Sequence, residues 1–79
     1  MSIEYTIFEL TADGQPKEVK EGEYGIEAFD ENYSAEIFDQ ASEEIIKEFT
    51  DAKAGVDYEL EMQYVTASSS TRHFTGGAT

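Results

Sequence analysis

One stretch of the chain decides its fold class: residues 58–65, YELEMQYV. Apolar and polar side chains alternate through it, and successive side chains of an extended strand point to opposite faces. Strict alternation predicts an antiparallel strand with one face on the core and the other in water. The buried face would carry Tyr58, Leu60, Met62 and Tyr64, and the solvated face Glu59, Glu61 and Gln63.

Two earlier stretches also predict strands. Residues 3–10 are rich in β-branched and aromatic side chains, and residues 18–29 alternate more weakly between apolar and acidic or glycine positions. Asp13, Gly14 and Pro16 between them are typical turn residues, since Asp-Gly tolerates positive φ and proline cannot donate to a ladder. The two strands are therefore expected to pair as a hairpin.

Residues 34–54 carry the helical period. Apolar side chains recur at spacings of three and four, which places them on one helical face. A break near residues 39–42, giving two short helices instead of one, is an alternative reading. The apolar face comprises Ile37, Ala41, Ile45, Phe49 and Ala52.

These elements predict an α+β fold in the order β-β-α-β. A small antiparallel three-stranded sheet would pack one face on one long or two short helices. Residues 1–66 are expected to form a single acidic domain. Residues 67–79 are predicted to be a flexible Ser/Thr/Gly-rich tail, since Phe74 is their one large apolar side chain.

Charge and cysteine content exclude several function classes. The 79 residues include 18 Asp and Glu against 5 Lys and Arg, a net charge of −13. Direct binding to nucleic acid or to an anionic membrane would therefore be repulsive. The absence of cysteine excludes disulfides, thiolate metal sites and a cysteine nucleophile. No apolar run approaches the roughly 20 residues of a membrane span.

Catalytic and metal-binding patterns are weak. His73, the single histidine, falls in the predicted tail, where no partner would hold it rigidly. The segment from Asp30 to Ala41 begins like a calcium loop, but Ala35 and Ala41 occupy the positions of its glycine and its bidentate glutamate. We therefore expect no enzymatic activity, cofactor or metal site.

The acidic side chains that point away from the predicted core are the candidate binding residues. A basic protein site is the partner that such a surface would favour. The alternative is a non-enzymatic adaptor or structural protein whose acidic surface is merely solvated. The candidate partner-binding residues are Glu23 and Glu27 on the second strand, Glu36, Glu43 and Glu44 on the helix, and Glu59 and Glu61 on the last strand.

The chain resembles a family of small acidic phage proteins, the anti-CRISPR inhibitors that occupy the DNA-recognition surface of the type I-F surveillance complex. The resemblance spans residues 5–62, and the serine-rich end departs from the family pattern. It implies a phage or mobile-element inhibitor that acts by DNA mimicry in the bacterial cytoplasm, on a basic nucleic-acid-binding protein or complex. The residues that carry it are Phe29-Asp30, Ser34-Ala35, Ala52-Lys53-Ala54 and the strand that begins at Tyr58.

Overall fold

The computed structural model describes residues 1–64 and 68–77. In these residues the chain is an α+β fold with a four-stranded antiparallel sheet and one α-helix. A single 3-10 turn, Glu31–Tyr33, precedes the helix. The elements are β1 (Ser2–Leu10), β2 (Pro16–Gly25), α1 (Ser34–Glu48), β3 (Asp57–Tyr64) and β4 (Ser68–Thr75).

The strand order is β2-β1-β3-β4, so the first and third strands lie at the centre of the sheet. The β1–β2 hairpin closes through the predicted turn, where Gly14 adopts φ +80° and its N–H donates to the Thr11 carbonyl at 3.0 Å. β1 then pairs with β3, with Ile7 opposite Leu60. An irregularity between Ile7 and Phe8 leaves Val19 of β2 as a bulge.

The core lies between α1 and one face of the sheet. Phe29, in the loop after β2, stacks on Tyr64 at 4.1 Å between ring centroids and meets Phe38 edge-on at 5.8 Å. This loop thereby closes the core beside the helix. Nine apolar side chains are buried together: Ile3, Ile7, Phe38, Ala41, Ile45, Phe49, Tyr58, Leu60 and Met62.

The predicted three-stranded sheet is wrong, because Ser68–Thr75 forms a fourth strand. The flexible tail predicted for residues 67–79 is thus wrong over residues 68–75, while residues 67, 78 and 79 lie outside the described residues. Ser and Thr pair readily when a neighbouring strand offers its backbone groups, and β3 does so with Tyr58 opposite Phe74. Phe74 stacks on Tyr58 at 5.3 Å, and Arg72 donates to the Ser42 hydroxyl at 2.7 Å.

Other boundaries also differ from the prediction. α1 is one unbroken helix and ends at Glu48, not at residue 54, because Phe49 leaves the helical conformation at φ −82°, ψ 81°. β2 ends at Gly25, so residues 26–29, the predicted end of this strand, form a loop instead. The loop begins with a hydrogen bond from the Ile26 N–H to the Met1 carbonyl. Val65 of the predicted last strand lies outside the described residues.

We predict that Phe74→Ala destabilises the domain by about 2 kcal/mol, below the range for a fully buried Phe because Phe74 is only half-buried. The melting temperature of a domain of this size should fall by roughly 10 °C. Thermal unfolding followed by circular dichroism measures this. Tyr33→Ala, at an aromatic residue that is 59% exposed, is the control and should cost less than about 0.5 kcal/mol. Equal losses in the two variants would contradict the packing of β4.

Candidate functional site

The sheet face opposite α1 is open and carries a cluster of glutamates. Strand alternation turns Ile3, Ile7 and Leu60 toward the helix, and therefore turns their sequence neighbours away from it. The register then brings acids from three strands together, with Glu4 opposite Glu23. We call the set Glu4, Glu21, Glu23, Glu59 and Glu61 the acidic face.

The acidic face is dense because neighbouring strands lie only about 4.8 Å apart. Thr6 of β1 lies between Glu21 of β2 and Glu61 of β3. The twisted sheet forms a shallow depression of about 610 Å³ here, whose lining includes four of the five glutamates. Its other lining residues on this face are neutral and polar: Thr6, Gln63, Ser69 and Thr71.

The basic residues lie elsewhere. Lys53 is 3.6 Å from Glu9 on the helix side, and Arg72, opposite Leu60, points toward α1. In the part of the chain that the structure describes, the acidic face contains no Lys or Arg, and His73 is the one side chain there that can become cationic. The negative charge of the acidic face is therefore largely uncompensated. The five basic residues are Lys17, Lys20, Lys47, Lys53 and Arg72.

Glu59 and Glu61 are neighbours at one end of the acidic face, and His73 contacts Glu59. His73 Nε2 lies 2.9 Å from Glu59 Oε1. The hydrogen bond with His73, and then that with Glu61, lowers the pKa of Glu59. The neighbouring Glu59 raises the pKa of Glu61, because a protonated Glu61 carboxyl can donate a hydrogen bond to the Glu59 carboxylate. Acidification therefore neutralises Glu61 before Glu59.

An apolar patch borders the acidic face. Phe8 and Leu10 of β1 point to the same open side and are half-buried, and Val19 at the bulge is 38% exposed. Phe8 lies between Glu18 of β2 and Glu59 of β3. The open side of the sheet thus combines concentrated negative charge with an accessible aromatic and aliphatic surface.

The structure divides the predicted binding residues between two sides of the molecule. Glu23, Glu59 and Glu61 lie on the acidic face, and Glu27 lies in the exposed loop after β2. Since α1 covers the other face of the sheet, its acids form a separate surface. Those helix acids are Glu36 and Glu43, which are exposed, and Glu44, which is half-buried.

Sequence reasoning missed Glu4 and Glu21. Glu4 alternates with the buried Ile3 and the half-buried Tyr5, which was the available signal. The signal was masked because Phe8 and Leu10 occupy the same face of that strand and make both of its faces look apolar. Glu21 is placed by the hairpin register, which depends on the bulge at Val19.

The loop that resembled a calcium site has another role. The Asp30 carboxylate accepts a hydrogen bond from the Asn32 N–H at 2.9 Å and caps the 3-10 turn. Within residues 1–64 and 68–77, no three His, Cys, Asp or Glu side chains are grouped so as to hold a metal ion.

Comparison of the chain with protein-family models, curated proteins and solved structures finds no match. In the described ranges, the helix is too short and too polar to cross a membrane.

We predict that Glu61→Gln raises the melting temperature at pH 7 by about 1–2 °C, the effect of removing a few tenths of a kcal/mol of surface repulsion. A raised pKa means that the folded state loses stability as pH rises through it, and glutamine removes that loss. The gain should vanish near pH 4, below the ordinary glutamate pKa, where wild-type Glu61 is already protonated. Thermal melts across this pH range measure the effect.

Glu27→Gln is the matched control for this prediction. It removes one charge from an exposed loop, away from the Glu59–Glu61 contact. An equal gain in both variants would show that net charge, and not the carboxyl pair, limits stability.

Proposed function

We propose that the chain is a non-enzymatic inhibitor that places its acidic face against the basic nucleic-acid-binding site of another protein. The observation that carries the proposal is the clustering of five glutamates from three strands on one open sheet face without Lys or Arg among the described residues. A sheet fixes the backbone positions from which these carboxylates project, so no backbone ordering is needed on binding.

The chemistry of such an interaction follows from what Arg and Lys recognise. Guanidinium groups bind carboxylates and phosphates through the same bidentate hydrogen bonds. On the acidic face, carboxylates recur about every 7 Å along a strand and about 5 Å across strands. A groove that holds the closely spaced phosphates of DNA would therefore also accept this face.

The apolar patch would supply what charge alone does not. Complementary charge mainly accelerates association, whereas buried aromatic and aliphatic anchors prolong the complex. Phe8 and Leu10 lie on the same side of the sheet as the glutamates, so both parts would be covered by one partner surface. We therefore propose an interface that combines the acidic face with this patch.

The resemblance to type I-F anti-CRISPR proteins makes the type I-F surveillance complex the first target to test. Under this proposal the protein acts in a bacterial cytoplasm against a host defence complex. The second candidate function is an adaptor that binds through the apolar patch, with the acidic face merely solvated. The half-buried Phe8 and Leu10 on the open side favour that alternative.

We predict that Glu23→Lys with Glu61→Lys weakens binding to the purified type I-F complex at least about tenfold, mainly through a slower association rate. The core-facing residues are untouched, so the melting temperature should hold or rise. The matched control is Glu36→Lys with Glu43→Lys, which changes net charge equally on the outer side of α1. Surface plasmon resonance at two salt concentrations measures the rates.

Four outcomes distinguish the inhibitor proposal from the adaptor alternative. Equal weakening by both double variants would contradict the acidic face as the binding surface. Binding that leaves target DNA in place would contradict mimicry. Binding that is lost in Phe8→Ala but kept in the charge variants would establish the adaptor reading, and no binding at all would exclude this target.

A further inference from the structure

The two edges of the sheet differ in how they resist pairing with another strand. The outer edge of β2 carries Pro16, the bulge at Val19 and two lysines, Lys17 and Lys20. Proline, bulges and lysine are the devices by which proteins block edge-to-edge association. The register of β4 runs without a shift from Ser68 to Thr75, and this strand contains no proline or lysine.

The hydrogen-bond pattern identifies the groups that β4 leaves outward. Gly76 N–H donates to the Val56 carbonyl at 2.7 Å, which marks a bonded pair next to the pair of Asp57 with Thr75. Bonded and non-bonded pairs alternate in an antiparallel ladder. The hydrogen bond from the Ile26 N–H to the Met1 carbonyl marks a bonded pair between β1 and β2. Alternation from that pair through β1 and β3 gives the same assignment for β4. The outward N–H and C=O groups therefore belong to Ser69, Thr71, His73 and Thr75.

No other described strand pairs with this edge, since β4 is the end of the sheet order. The first half of the edge is also open on the helix side, because its side chains there, Ser68 and Ser70, are small. They leave a groove of about 420 Å³ beside Ala35 and Phe38 of α1. Over its first half, Ser68–Thr71, β4 thus presents only small side chains to an approaching strand.

The charge of β4 indicates which strand would pair with it. β4 is the one strand of the sheet without Asp or Glu, and it contains Arg72 and His73. Two copies of a chain with a net charge of −13 repel each other. That repulsion is weakest where β4 meets β4, because each approaching edge has no acid and at least one positive charge.

We infer that the protein forms a two-fold symmetric homodimer by antiparallel pairing of β4 with β4 of a second copy. When the two-fold axis passes through Thr71, the outward N–H and C=O groups of one copy can bond to those of the other. Thr71 then faces Thr71 of the second copy. This register places Arg72 opposite Ser70 of the second copy. A shift of the axis by one residue toward the C-terminus would oppose the two Arg72 side chains instead, which like-charge repulsion disfavours.

The dimer combines two four-stranded sheets into one of eight strands. A two-fold axis perpendicular to the sheet keeps both helices on one side and both acidic faces on the other. The inference does not depend on the proposed function, since its residues belong to β4 and those of the inhibitor proposal to the acidic face and apolar patch.

The test is the mass of the full chain from micromolar to millimolar concentration, by light scattering and sedimentation, in low and high salt. We expect a monomer–dimer equilibrium that shifts toward dimer in high salt, because screening reduces the net repulsion. Amide exchange of Ser69, Thr71 and His73 should slow as concentration rises. A monomer at every concentration and salt would overturn the inference.

Thr71→Lys distinguishes pairing at β4 from association elsewhere. It lowers the net negative charge and places a lysine opposite Glu61 within the monomer, so the fold should persist. It also opposes two lysines at the two-fold axis and should weaken dimerisation at least about tenfold. Thr50→Lys makes the same charge change in an exposed loop and should leave dimerisation equal or stronger. Dimerisation of Thr71→Lys at wild-type strength would overturn the inference.

Discussion

The pairing of β1 with β3 is the contact on which the rest of the structure depends. It joins residues that lie 49 to 59 positions apart in the chain and sets Ile7 opposite Leu60 beneath the helix. Because side chains alternate strictly along a strand, a slip of one residue would turn Glu59 and Glu61 into the core. Burying unpaired carboxylates costs several kcal/mol each, so this register is strongly specified.

The same pairing forces carboxylates together in the centre of the sheet. Once Ile3, Ile7 and Leu60 face the helix, Glu4, Glu59 and Glu61 have no side to occupy but the open one. The like charges there oppose folding, while the nine-residue apolar core and the hydrogen-bonded ladders favour it. His73 offsets part of the repulsion through its contact with Glu59. Tolerating such a face at a cost in stability is consistent with selection for binding.

Some elements of the fold were predictable from the sequence and others were not, for physical reasons. The faces of β3 were predicted correctly, because large apolar side chains alternate there with polar ones. The start of the helix at Ser34 was also correct, since the apolar stripe begins there. β4 was missed because its serines, threonines and single phenylalanine show no apolar alternation, and its stability comes from the free edge of β3 and the ring of Phe74.

The candidate site was predicted in part for similar reasons. Alternation within one strand placed Glu23, Glu59 and Glu61 outward. It did not show which strands are neighbours, so the convergence of Glu4 and Glu21 on the same face required the observed register. The predicted binding surface also combined the helix acids with the sheet acids, although α1 lies on the other side of the sheet.

The separation of the five Lys and Arg residues from the acidic face gives the molecule a permanent electric dipole moment. Among the residues that the structure describes, the acidic face has no Lys or Arg to offset its five carboxylates, whereas all five basic residues lie among the other acids of the molecule. In the field of a cationic body the protein would experience a torque as well as an attraction. It would rotate while still some 10 Å away, within the range that physiological salt allows, and arrive with the sheet foremost. Fewer encounters would then be wasted on unproductive orientations.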